Sequence, residues 1–191
     1  MNRREALQRT ALVLGYAISG PALMGIMNGC KAAPELTYTP SFFTKEQAET
    51  VSELAQLIIP KTDTPGAKEA GVPGFIDQIL QECFTTEDQQ RFMTGLTEFE
   101  ADMKASFGDT FVYLDAEKQT QAFQKHHDAA VEAARAKPSE PKPFVLMVKE
   151  LTLLGFFTSE PGATQVLQYE AVPGRYTGCA PLAEVGKAWA S

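Results

Sequence analysis

Phe144-Val145-Leu146-Met147-Val148-Lys149-Glu150-Leu151-Thr152-Leu153-Leu154-Gly155-Phe156-Phe157 is apolar almost all round, broken by Lys149, Glu150 and Thr152. No period-two alternation runs through it, and it is too long for a buried strand, so it reads as a helix. A helix apolar on most sides is buried, in its own core or against another protein. The remaining chain is therefore expected to supply helices that surround it.

Upstream lies Lys137-Pro138-Ser139-Glu140-Pro141-Lys142-Pro143, a short stiff linker. Before that, Asp115 is placed to cap a fourth helix running to about Ala136, with Ala122, Phe123, Ala129, Ala130 and Ala133 letting a neighbour approach closely. Phe92, Leu96, Phe99 and Met103 mark the stripe of a third helix ending near Gly108, and Thr86-Glu87-Asp88-Gln89 reads as its capping box. Pro73 suits the first position of a second helix whose face carries Ile76, Ile79, Leu80 and Cys83. Thr44-Lys45-Glu46-Gln47 is the capping box of the first helix, which Pro60 ends. Between these two helices, residues 60–73 form a tightly turned, proline-rich loop. Downstream of Ser159 the chain turns irregular, with Tyr169, Tyr176 and Trp189 set among glycines and prolines. The class is all-α: one domain of about five helices with an irregular C-terminal arm. A chain of 191 residues, 44% hydrophobic and 21% charged, supports one such core.

The N-terminus carries a different signal. Met1-Asn2-Arg3-Arg4-Glu5-Ala6-Leu7-Gln8-Arg9 is basic, and no charge follows from Thr10 to Gly29. That is the layout of a secretory leader. Arg3, Arg4 and Leu7 match a twin-arginine signal, and Gly15, Ser19, Gly20, Pro21 and Gly25 keep the apolar run only moderately greasy. Gly29-Cys30 suits lipoprotein processing, with Cys30 lipidated, although Met27 and Asn28 fit that motif poorly and cleavage near Ala32-Ala33 is the alternative. The chain divides into a leader over residues 1–30, an extended tether over 31–43 and a helical domain over 44–191. The expected location is the periplasm, with membrane attachment only through a lipid anchor or a partner.

Cys83 and Cys179 remain once Cys30 is set aside. In an oxidising compartment they can pair or stand as separate thiols, and spacing does not decide between the two.

The formal net charge of −7 and the absence of a Lys/Arg stripe exclude nucleic acid as a partner. No Gly-x-Gly-x-x-Gly follows a strand, no phosphate-binding loop occurs, and no Cys-x-x-Cys-His signals attached haem. His126 and His127 are adjacent, so on a helix they point about 100° apart and do not readily share a metal; solvated side chains are the plainer expectation. Thr62-Asp63-Thr64-Pro65-Gly66 offers too few oxygens for calcium and is expected to hold a turn. Glu160 and Glu170 pair with no second acid. No catalytic, cofactor or metal residue is assigned.

Two motifs carry a resemblance. Leu57-Ile58-Ile59-Pro60-Lys61-Thr62-Asp63-Thr64-Pro65-Gly66-Ala67, continued by Gly71-Val72-Pro73-Gly74-Phe75-Ile76-Asp77, resembles the signature of the gluconate 2-dehydrogenase subunit 3 family. So does Phe157-Thr158-Ser159-Glu160-Pro161-Gly162-Ala163, running on to Tyr169, Pro173-Gly174 and Tyr176. The likeness spans about residues 44–180. It implies a small, non-catalytic subunit of a membrane-associated oxidoreductase complex. The large subunit of such complexes resembles glucose–methanol–choline oxidoreductases, holds FAD and oxidises a sugar or sugar acid; a cytochrome c often takes the electrons. The small subunit binds the large one and supplies the export signal for both. Pro60, Asp63, Pro65 and Gly66 on the loop, and Tyr169, Arg175, Tyr176 and Trp189 on the arm, are the expected docking residues. The competing readings are a stand-alone envelope lipoprotein that binds sugars or scaffolds an assembly, and a metal-assisted hydrolase using Asp63, His126 or His127.

Overall fold

The computed structural model describes residues 36–138, 140–172, 174 and 178–190. Five long helices make up its body: α1 (Lys45–Ile58), α2 (Val72–Cys83), α3 (Thr86–Phe107), α4 (Ala116–Ala136) and α5 (Phe144–Thr158). The all-α expectation is met.

Local signals set most of the boundaries. At α1 the Thr44 hydroxyl accepts from Gln47 N–H at 3.4 Å, and the Gln47 side-chain oxygen accepts from Thr44 N–H at 2.9 Å, closing the expected capping box. Helix α2 starts after Gly71, whose φ of 74° only glycine adopts without strain, and places Pro73 in its first turn. Helix α3 ends on Gly108 at φ 78°. Asp115 caps α4 by accepting from Lys118 N–H at 2.9 Å.

At α3 the cap differs from expectation by one residue. Thr85, not Thr86, is the N-cap, and its hydroxyl accepts from Asp88 N–H at 3.2 Å. Gln89 is drawn away from any capping box. Its amide donates to the carbonyls of Leu80 at 2.8 Å and Phe84 at 3.3 Å, satisfying the end of α2 across the α2–α3 corner.

Helix α5 is the axis of the body and packs against α1, α2, α3 and α4. Phe144, Val145, Met147, Val148, Leu151 and Phe156 are all buried. The Phe144 ring meets Phe92 of α3 edge-on, with centroids 5.0 Å apart. Each such side chain contributes about 1.5 to 3 kcal/mol on burial. Close approach needs glycine at two crossings. A Cβ on Gly95 would lie 2.3 Å from Phe144 Cβ, and one on Gly155 would lie 2.5 Å from the Phe75 ring.

Residues 36–43 were expected to belong to an extended tether, and they are part of the body instead. Leu36, Tyr38 and Phe42 pack against the core, and Phe43 is buried in it. The prolines and alanines suggested a linker. The apolar area of these four side chains overrides that composition.

After α5 the arm is not wholly irregular. A π-helical turn spans Gly162–Val166, and a single helical turn, α6, spans Leu182–Val185. The two-residue strands β1 (Gln168–Tyr169) and β2 (Trp189–Ala190) pair in parallel, with Gln168 opposite Trp189 and Tyr169 opposite Ala190. Among the described residues, no helix is long and apolar enough to cross a membrane.

Candidate docking surface

The first motif encodes a loop that fastens itself to the body. Ala67 is fully buried and its N–H donates to Ile59 O at 2.9 Å. Gln56 of α1 accepts from Lys68 N–H at 3.0 Å, and Lys68 Nζ lies 2.5 Å from Glu53 Oε1. Lys61 pairs with Glu69 across the loop mouth. Gly66 is needed because a Cβ there would stand 2.6 Å from the Gln56 amide and 2.8 Å from Lys61 N. Thr62 N–H donates to Thr64 O at 3.1 Å, and the Thr62 hydroxyl accepts from Thr64 N–H at 3.4 Å, the local bonding expected of the threonines in a turn. Of the four loop residues assigned to docking, Pro60 and Asp63 are exposed, Pro65 is half-buried and Gly66 is buried. Gly66 therefore acts on the loop's own geometry and offers no side chain to a partner.

The motif's second half ends on Asp77, which anchors the incoming chain. Its carboxylate accepts from Ser41 N–H at 2.8 Å, Ser41 Oγ–H at 2.7 Å, Phe42 N–H at 3.2 Å and Phe43 N–H at 2.9 Å. Burial by itself raises the carboxyl's pKa. The bonds from Phe43, Ser41 and Phe42 outweigh it and hold the group below its usual range. Tyr38 lies over Gly74, and its phenol is pushed well up by burial first and then by the Asp77 charge. Nothing in local sequence periodicity marks Asp77 for this role, because its partners lie more than thirty positions earlier.

The two histidines do diverge, but they are only partly solvated and each has a partner on another helix. His126 Nε2 lies 2.9 Å from Asp102 of α3, and its ring packs edge-on to Phe99. His127 accepts from Lys149 Nζ of α5 at 3.0 Å and stacks on Phe123. They tie α4 to two different helices, which explains their adjacency in structural terms. Hydrogen bonds from His126 and then Lys125 hold the Asp102 carboxyl low. Among the described residues, no group of three or more His, Cys, Asp or Glu is arranged to hold a metal ion. Cys83 and Cys179 are separate, exposed thiols, so the pairing left open by the sequence is not formed here.

Large apolar side chains reach solvent in one part of the sequence. Tyr169 is 58% exposed, Val172 80% and Trp189 49% on the arm, while Leu153, Leu154 and Phe157 lie exposed on α5. Among the described residues these six are the large hydrophobic side chains so exposed, and none comes from α1 to α4. Tyr169 and Trp189 were expected to dock a partner. The three α5 residues were missed, although the all-round apolar character of the helix was the signal for them. Arg3, Arg4, Leu7, Cys30, Arg175 and Tyr176 lie outside the described residues.

The family model described as gluconate 2-dehydrogenase subunit 3 matches residues 45–174. No curated protein and no solved structure matches the chain.

Proposed function

The chain belongs to the gluconate 2-dehydrogenase subunit 3 family, an accessory subunit of a dehydrogenase complex, and from that premise we propose that it binds an FAD-dependent sugar or sugar-acid dehydrogenase and carries it through twin-arginine export. The observation that carries the reading is the family match across residues 45–174, which takes in all of α1 to α5. In this reading FAD and the redox chemistry reside in the large subunit, and a cytochrome c receives the electrons.

Two further observations support it. Arg3, Arg4 and Leu7 head an uncharged run from Thr10 to Gly29, and the twin-arginine route moves proteins already folded. A flavoenzyme loaded with FAD in the cytoplasm must cross in that state, so a partner with no leader of its own can travel on this one. Tyr169 and Trp189, which lie on the paired strands β1 and β2 opposite Ala190 and Gln168 and are exposed, are the anchor type that interfaces favour. In this reading the complex works in the periplasm, with Cys30 as its lipid anchor.

The test is co-purification. Tagged, full-length chain drawn from its native cells should bring down a larger protein with flavin absorbance and sugar-oxidising activity. Recovery of the chain without any flavoprotein would defeat the reading.

A further inference from the structure

The outward face of α5 is at odds with its surroundings. Positions 153, 154 and 157 are spaced to share one helix face, and Leu153, Leu154 and Phe157 there are 38%, 45% and 39% exposed. The outward positions of α3 and α4 carry polar or charged residues or alanine by contrast, as at Glu98, Lys104, Lys125 and Glu132, and no large apolar side chain. A helix buried against four others has only a narrow outward face, and on α5 that face carries Leu153, Leu154 and Phe157 beside the exposed Glu150 and Thr158.

Beside that face is a groove of about 370 Å³, floored by Ile79, Phe84, Met147, Leu151 and Leu154. Four charged residues stand at its rim, and they are neutralised in pairs. Arg91 binds Asp88, and Lys142 binds Glu150. The rim thus makes no demand for a partner's charge, and a charged group set into the groove would lose hydration with no free counter-ion to replace it. The electrostatics suit an uncharged, apolar projection.

We propose that this α5 face and its groove form the seat for the catalytic flavoprotein subunit, which presents an uncharged ridge of aliphatic or aromatic side chains to it. The proposal rests on the accessory-subunit reading above and adds the surface and its chemistry. A subunit of a complex must give up exposed apolar area to its partner. The chain from Leu153 onward is where that area is found among the described residues. Tyr169, Val172 and Trp189 on the following arm extend the contact, since three side chains alone fall short of the roughly 800 Å² per partner of a stable interface.

The experiment compares the wild-type complex with Leu154→Glu and Phe157→Glu, using Glu132→Lys on α4 as the control. Each changed position is already exposed, so helical content and melting temperature should hold. Leu154→Ser is the milder variant if either glutamate disturbs folding. Both glutamate variants are expected to bind the flavoprotein at least tenfold more weakly, with the control unchanged. Undiminished binding by the folded variants, or by Leu154→Ser where that is the one that folds, overturns the proposed seat while leaving the accessory role intact. Failure of the wild-type chain to bind any flavoprotein overturns both. A homodimer of the isolated chain that Leu154→Glu dissolves would assign the face to a second copy and likewise overturn the proposal.

Discussion

Ser41 binds Asp77 twice, through its backbone N–H at 2.8 Å and its hydroxyl at 2.7 Å. With Phe42 and Phe43 adding their own N–H groups, one carboxylate gathers three consecutive backbone donors. These residues lie just ahead of the N-cap Thr44, outside α1, so no helical hydrogen bond serves their N–H groups and the carboxylate does. Asp77 therefore fixes where the N-terminal segment joins the body.

Replacing Asp77 by Asn should destabilise the fold by about 2 to 3 kcal/mol. One of the two accepting oxygens becomes an NH₂ group facing donors, and hydrogen bonds to a buried charge are among the stronger ones. Urea denaturation should show a lower midpoint with an unchanged slope. A midpoint equal to wild type would show that the carboxylate is dispensable.

The same group makes stability acid-sensitive. Its folded pKa lies below the unfolded value, so its contribution is complete above about pH 4 and is lost as the pH falls through the folded pKa. Melting temperature should drop on acidification below that point, and the drop should be smaller in Asp77→Asn. Parallel profiles for the two proteins would assign the acid transition to other carboxylates.

Gly95→Ala tests the α3–α5 crossing. In an exposed helix the change would gain about 1 kcal/mol from propensity. Here the new methyl group meets Phe144 Cβ at 2.3 Å, an atom tied to the α5 backbone that cannot rotate away. Overpacking of this kind costs about 1 to 3 kcal/mol, so the net effect should be destabilising. Thermal unfolding would measure it, and a raised melting temperature would contradict the packing described.

Changing Arg3 and Arg4 together to Lys should leave the partner flavoenzyme in the cytoplasm, because an ammonium does not replace a planar guanidinium where geometry is read. Cell fractionation with a flavin activity assay gives the result. Periplasmic activity at the wild-type level would remove the carrier role.

Cys30→Ser should release the body from partner-free membranes into the soluble fraction. Continued sedimentation with those membranes would reject lipidation at this residue.

Much of the fold was legible because its signals are local. Thr44 and Gln47 lie three residues apart, Pro60 and Gly108 punctuate at the points where helices stop, and Phe92, Leu96, Phe99 and Met103 repeat at helical spacing. The candidate surface was legible only in part. Tyr169 and Trp189, expected to dock a partner, are exposed, whereas Gly66 is buried behind Gln56. Aromatic type in an irregular segment points outward well enough. A glycine in a motif says only that a Cβ is forbidden, and structure must show by what.

By itself the sequence determined the helical class, four of the five long helices' starting signals to within a residue, and the family. Each of these depends on hydrogen bonds or side-chain spacing within a few positions of the chain. Tertiary structure decided the rest: that residues 36–43 belong to the body, that Asp77 holds Ser41, Phe42 and Phe43, that His126 and His127 brace different helices, and that Leu153, Leu154 and Phe157 of α5 are left uncovered. Those outcomes depend on which distant segments come into contact, and local periodicity carries no record of that choice.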